Sequence, residues 1–90
     1  MLTVKFVFDV NKSQSNLQKH GIDFVAAQAL WDDPALMEIA GRSVKREARS
    51  MLIGRIGSTH WTAVVTYRAN CIRLISVRRA RAQEIQWYGT

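Results

Sequence analysis

The chain has 90 residues, of which 48% are hydrophobic, so it is large enough for one domain with a single modest core, residues 1–90, and too small for several. No apolar stretch is long enough to cross a bilayer, and the one cysteine, Cys71, excludes an internal disulfide and a cysteine-only metal site. Because no stretch can span a bilayer, no membrane partner is expected. The formal net charge of +6 favours an anionic partner, and a reducing, cytoplasmic compartment is the simplest location.

The first strand and the first helix are predicted from local signals. Apolar residues alternate loosely over residues 4–8, as in a strand, and Asp9 can cap a helix over residues 11–20. Gly21 ends this helix in the left-handed conformation that glycine adopts at little cost. Because the helix contains few aliphatic residues, we expect it to lie on the surface.

A second helix is predicted to pack against the core. Asp23 is its N-cap, and the Asp-Asp-Pro sequence of residues 32–34 ends it. The apolar residues between them follow at helical spacing, which indicates a buried face formed by Phe24, Ala27, Leu30 and Trp31. A short strand over residues 35–39 and a charged loop over residues 40–48 follow.

The second half of the chain predicts three sequential strands and a closing helix. The strands cover residues 50–56, 61–67 and 71–77, and their short connections are typical of an antiparallel meander. The closing helix covers residues 83–88. The order β-α-α-β-β-β-β-α favours an α+β fold in which helices pack on an antiparallel sheet.

The strand at residues 71–77 carries arginines within it and at its exit. Simple alternation places one set of side chains on one face, namely Arg73, Ile75, Val77 and Arg79. It places the other set on the opposite face, namely Ile72, Leu74, Ser76 and Arg78. Because an unpaired guanidinium in a core is very costly, we expect the strand to carry its arginines to an edge or cleft that an anion can reach.

All of the excess positive charge lies in the second half of the chain. Residues 1–47 hold six basic and six acidic residues, whereas residues 48–90 hold seven arginines, no lysine and one acid, Glu84. Arginine binds phosphate and carboxylate groups through two parallel hydrogen bonds, so this distribution favours an anionic partner. The alternative is a solvated surface without a partner.

A series of short motifs runs in order over nearly the whole chain. It comprises Phe8-Asp9, Lys12, residues 16–24, Ala27, Asp33-Pro34, Glu47, Arg49, Ile53-Gly54, residues 73–80, Glu84 and Tyr88. Each motif is common by itself, but together and at this spacing they resemble one known family. That family is the BrnT ribonuclease toxins of bacterial type II toxin–antitoxin modules.

The resemblance implies a compact fold similar to the RelE-like toxins and metal-independent endoribonuclease activity, with no cofactor. It also implies a BrnA-like antitoxin that binds the toxin and represses the shared promoter, so that DNA is contacted only through the antitoxin complex. A toxin dimer within that hetero-oligomer is expected. The chain departs from the family at Arg81, where threonine is usual and would form a capping box with Glu84. Arg81 has no acceptor for the backbone hydrogen bond, which weakens the cap by roughly 1 kcal/mol.

Cleavage of RNA without a metal needs a base, a cation for the charged phosphorane and an acid for the leaving oxygen. Arg78 and Arg79, adjacent at a strand exit, are predicted to hold the phosphate and its neighbour. Arg68, at the end of the preceding strand, is predicted to lie at the same sheet edge or else to be a solvated turn residue. The alternative for the adjacent arginines is that one pairs with Glu84 or Glu47 and holds the last helix in place.

His20 is the acid–base candidate, because histidine exchanges protons near neutral pH, or else it satisfies the dipole at a helix end. His60 falls in a predicted hairpin turn and is interpreted as a surface residue. The remaining residues that we predict to contact RNA are Lys12, Lys19, Arg55, Arg73 and Tyr88. Their alternatives are solubility for the lysines, a structural carboxylate pair for Arg73 and helix packing for Tyr88. One cysteine and two histidines do not favour a metal site.

Two other classes of function fit the same basic surface. One is a non-catalytic nucleic-acid-binding or regulatory module, and the other is a degenerate toxin that has kept only its partner surface. Binding that weakens steeply with salt is expected from all of these readings, so it does not separate them. Cleavage in the presence of a chelator does separate them.

Overall fold

The computed structural model describes residues 4–89 of the chain, and in that range it contains five strands, two α-helices and one 3₁₀ helix. They are introduced in chain order. The first four are β1 (Lys5–Val7), α1 (Val10–His20), the 3₁₀ helix (Ala26–Asp32) and β2 (Met37–Ala40). The last four are β3 (Ser50–Ile56), β4 (Thr59–Arg68), β5 (Cys71–Arg79) and α2 (Ala82–Tyr88).

The strands form one mixed sheet in the order β1-β5-β4-β3-β2. Strands β2 to β5 pair antiparallel with their neighbours, whereas β1 pairs parallel with the first three residues of β5. The α+β class is therefore confirmed, and the prediction of a purely antiparallel sheet is wrong. The first strand lies at the sheet edge beside the last one, and helix α1, which follows the first strand, also contacts β5.

The main core lies on the face of the sheet that α1 and the 3₁₀ helix cover, here called the core face. Side chains alternate along β4, so that Trp61, Ala63 and Val65 all point into this core. They pack with apolar residues of the 3₁₀ helix, of the segment that precedes it and of the other strands, namely Ile22, Phe24, Ala27, Leu30, Leu52, Leu74 and Val77. Burying each larger side chain stabilises the fold by about 1.5–3 kcal/mol.

The opposite surface of the sheet, here called the α2 face, is partly covered by the last helix. Helix α2 contacts β3, and its buried Glu84 bonds to Thr62 of β4. Thr62 and Ile53 are both fully buried on this face. Within residues 4–89, no helix has the length and hydropathy that a membrane span requires.

The predicted ends of the first helix are confirmed. The Asp9 carboxylate accepts hydrogen bonds from the backbone N–H groups of Asn11 and Lys12, at 2.8 and 3.2 Å. Gly21 follows the last turn with a φ of 81°, and its N–H donates to the Leu17 carbonyl. These local signals succeed because capping depends only on residues within one turn.

The predicted second helix is a 3₁₀ helix rather than an α-helix. The Asp23 side chain accepts from the Ala26 N–H at 2.7 Å and opens it, and Asp33 follows its end. Phe24, Ala27 and Leu30 are buried, as predicted, whereas Trp31, the fourth residue of the predicted buried face, is only half-buried. Ala27 and Leu30 are three residues apart, and a helix with three residues per turn stacks such positions on one side, whereas Phe24 lies in the turn just before the helix.

A β-bulge changes the faces that were predicted for the last strand. Val65 pairs with Leu74 and Val64 pairs with Ser76, so Ile75 is an extra residue without a partner in β4. Leu74 and Val77 consequently both face the core, although they are three residues apart. By this register the core face also carries Arg79, and the α2 face carries Arg73, Ser76 and Arg78. The simple alternation predicted from the sequence is therefore wrong beyond Leu74.

Candidate functional site

A cleft of about 190 Å³ separates helix α1 from the bulged part of β5. Its helical wall carries residues at positions i, i+4, i+7 and i+8, which share one side of an α-helix. Three residues that the sequence singled out, Lys12, Lys19 and His20, therefore line the same cleft, and all three are exposed. The other wall carries Ile75 and Ser76. A bulge at this position is typical of functional sites, because the extra residue redirects its neighbours.

Asn16 fixes α1 beside β5 at this cleft. Its Nδ2 donates to the carbonyls of Val77 and Ile22, both at 2.8 Å, and its Oδ1 accepts from the Val77 N–H at 3.1 Å. The pairing of β1 with β5 covers residues 71–73 and ends at Arg73, so the backbone of Val77 has no neighbouring strand on that side. The buried Asn16 side chain takes the place of that strand, and the cleft walls are held at a fixed separation.

Arg78 is held by an internal carboxylate. Its Nη1 and Nη2 donate to the two carboxylate oxygens of Glu84, each at 2.8 Å. Glu84 is 4% exposed and also accepts from the Thr62 hydroxyl and from the Arg81 backbone N–H. The hydrogen bonds from Arg78 outweigh burial and lower the pKa of Glu84 to about 2, and the same pair raises the pKa of Arg78. Arg78 therefore pairs with Glu84 and holds the last helix in place, as in the alternative interpretation of the adjacent arginines.

This network predicts an acid-sensitive fold. The Glu84 pKa is about 2 in the folded protein against 4.5 ordinarily, so its contribution is complete above pH 4.5 and is lost as the pH falls towards 2. The expected loss is about 3 kcal/mol of unfolding free energy. Urea denaturation between pH 2 and 7, compared with Glu84→Gln, isolates this contribution, because the variant lacks the titrating group. Parallel pH curves for the two proteins would contradict the assignment.

Arg79 lies on the other face of the strand from Arg78. It pairs with Trp61 across the strands, and its guanidinium carbon is 5.7 Å from the centre of the Trp61 ring. Arg78 and Arg79 therefore lie on opposite faces of the strand exit, as alternation predicts for adjacent residues, and the expectation that they hold a phosphate and its neighbour stays a prediction. Arg79 is exposed and makes no ion pair within residues 4–89, so it is open to an anionic partner.

Arg68 is distant from the strand exit where we expected it. It pairs with Cys71 at the beginning of β5, whereas Arg79 ends that strand, because antiparallel neighbours run in opposite directions. Its Nη2 donates to the Glu47 carboxylate at 2.8 Å, and both side chains are substantially exposed. Such an exposed pair contributes about 0–1 kcal/mol and leaves Arg68 able to exchange partners.

Tyr88 packs helix α2 onto the sheet. Its hydroxyl donates to Asp33 at 2.7 Å, and its ring meets that of His60 edge-on, with the ring centres 5.1 Å apart. The hydrogen bond raises the pKa of Tyr88 and lowers that of Asp33. His60 is half-buried in β4, so its interpretation as a surface turn residue is wrong. Arg55 is exposed nearby, and its backbone N–H donates to Asp33 at 2.8 Å.

Arg73 is half-buried in the middle of β5, across from Thr66. No carboxylate pairs with it in the described part of the chain, which contradicts the structural ion pair proposed as its alternative.

The sequence also failed to single out Asn16, although a polar residue on the cleft side of α1 is a usable signal. Within residues 4–89, no group of three or more His, Cys, Asp or Glu side chains could hold a metal ion.

Comparison with known proteins gives one family. Residues 8–84 match the family described as "Ribonuclease toxin, BrnT, of type II toxin-antitoxin system". No curated protein matches the chain significantly. The matched region includes α1, the whole of β2 to β5 and Glu84, and so contains both walls of the cleft.

Proposed function

Because the chain belongs to the BrnT ribonuclease toxins of type II toxin–antitoxin systems, we propose that it cleaves RNA endonucleolytically at the cleft between α1 and β5. The observation that carries this proposal is the convergence of Lys12, Lys19 and His20 on that cleft. Two ammonium groups and an imidazole supply the charge and the proton exchange that attack by a 2′-hydroxyl requires.

The roles follow from the chemistry of each side chain. His20 exchanges the proton of the attacking hydroxyl or of the leaving oxygen, because imidazole does so near neutral pH. Lys12 and Lys19 lie two helical turns apart, about 10 Å, and bind phosphates on either side of the reacting group. Arg79 and Arg68, exposed elsewhere on the sheet, contact more distant parts of the RNA.

A metal-independent reaction is part of the proposal. It is supported by the side chains at the cleft between α1 and β5, where Lys12 and Lys19 supply two cations and His20 supplies a proton carrier. Lysine then stabilises the charge that a metal ion would stabilise in other nucleases.

The remaining parts of the proposal concern the assembly. A BrnA-like antitoxin neutralises the toxin in the cytoplasm, and the complex contacts DNA through the antitoxin. The chain has a pI near 10.3, so an acidic or otherwise charge-complementary antitoxin segment covers part of its basic surface. The α+β sheet adopts a RelE-like arrangement, and two toxin chains assemble in the hetero-oligomer.

The test is cleavage by the purified protein in excess chelator. We expect a single-stranded RNA oligonucleotide to be cut internally, with no cleavage of DNA of the same sequence, because DNA lacks the attacking 2′-hydroxyl. Expression without the antitoxin is expected to stop growth and to degrade cellular RNA. Intact RNA and normal growth, or binding of RNA without cleavage, would contradict the proposed activity and favour a binding module.

A further inference from the structure

Three residues lie side by side across the α2 face, away from the contacts that Glu84 and Tyr88 make. Thr66 of β4 pairs with Arg73 of β5. Arg49 immediately precedes Ser50, the partner of Val65, and so lies across from Thr66 on its other side. We call Arg49, Thr66 and Arg73 the arginine row. It lies four residues along β4 from Thr62, which Glu84 contacts, a distance of about 13 Å.

Two polar atoms of the row are buried without a partner. Thr66 is 1% exposed, and its hydroxyl Oγ1 makes no hydrogen bond within residues 4–89. The Nε of Arg49 is likewise buried and makes none there. A buried hydroxyl or guanidinium N–H without a partner is costly, and such groups in native proteins usually meet water, an ion or a ligand.

The charge of the row is also unbalanced. Arg49 and Arg73 are both half-buried, and the described part of the chain places neither in an ion pair. The nearest acidic residue in sequence, Glu47, binds Arg68 instead. Two partly buried guanidinium groups on either side of a hydroxyl repel each other unless an anion lies between them.

We propose that the arginine row binds a backbone phosphate of the RNA, as a subsite adjoining the cleft between α1 and β5. This rests on the proposed function. A phosphate offers oxygens to both guanidinium groups and to the Thr66 hydroxyl, and arginine forks match its geometry. Arg73 and Ser76, which lines the cleft, share one face of β5 about 10 Å apart, so one strand of RNA spans both places. Because the row contacts phosphate alone, it positions RNA of any sequence.

The test measures binding of a 2′-O-methyl RNA oligonucleotide, which lacks the attacking hydroxyl, by fluorescence anisotropy at fixed salt. Arg49→Gln/Arg73→Gln is expected to weaken binding at least about tenfold. The matched control, Arg42→Gln/Arg81→Gln, removes the same charge from two exposed positions and is expected to change binding about twofold or less. Thr66→Val keeps the shape of the side chain, and it is expected to weaken binding several-fold while the melting temperature stays equal or rises.

The Thr66→Val result separates a ligand site from a structural role, since a structural hydroxyl would lower the melting temperature when removed. Binding that is unchanged in Thr66→Val, or equally weak in the two arginine double variants, would overturn the proposal. So would loss of antitoxin binding with RNA binding intact, which would make the row a protein interface. Because the 2′-O-methyl oligonucleotide cannot be cleaved, its binding does not depend on nuclease activity. If the chain binds it through the arginine row but cleaves no unmodified RNA, the proposed nuclease activity is refuted and the proposed phosphate subsite is not.

Discussion

Replacing Glu84 with glutamine is expected to lower the free energy of unfolding by about 3 kcal/mol. The substitution keeps the shape of the side chain but removes the charge that holds both Nη atoms of Arg78. It leaves a partly buried guanidinium without a counter-charge, and it weakens the bonds from Thr62 and from the Arg81 N–H. The measurement is urea unfolding at pH 7, followed by circular dichroism.

Two further variants test the cause of that loss. Asp32→Asn removes an exposed carboxylate and is expected to change the unfolding free energy by less than about 0.5 kcal/mol. Arg78→Met/Glu84→Met replaces both charges by apolar side chains and is expected to recover most of the stability, because no unpaired charge remains. A double variant as unstable as Glu84→Gln would show that the loss comes from the hydrogen bonds of the Thr62 hydroxyl and the Arg81 N–H to the carboxylate, and not from an unpaired charge.

The elements that depend on neighbouring residues were predictable from the sequence. Asp9 and Gly21 bound α1 as expected, and Ser50 to Ile56 form a strand with the predicted bounds. These signals are local, because a cap or a run of β-branched residues acts within a few positions. The parallel pairing of β1 with β5 was not predictable, since it joins segments more than sixty residues apart and no local pattern encodes it.

The candidate site divides in the same way. The spacing of Lys12, Lys19 and His20 on one side of the helix is present in the sequence. Which surface they face is set by the three hydrogen bonds of Asn16, two to the backbone of Val77 in β5 and one to the carbonyl of Ile22 just after α1. The arginines of β5 were misplaced because one bulge residue, Ile75, exchanges the faces of all residues after it.

The largest effect on activity is expected from His20→Ala, which should reduce the rate of RNA cleavage by about 100-fold or more. His20 is exposed at the end of α1 and lines the cleft, so its removal takes away a proton-exchanging group without opening the core.

The control is His60→Ala, which removes the other histidine from a position against Tyr88 on the α2 face. It is expected to cleave RNA at nearly the original rate, and to lose about 0.5–1.5 kcal/mol of stability with the ring contact. If His20→Ala folds and cleaves at the original rate, His20 serves the helix end instead. Its removal would then cost about 0.3–1 kcal/mol of stability, and the proton exchange would have to be assigned to another group at the cleft. Rate and stability measured on both variants therefore decide between the two interpretations that the sequence left open for this residue.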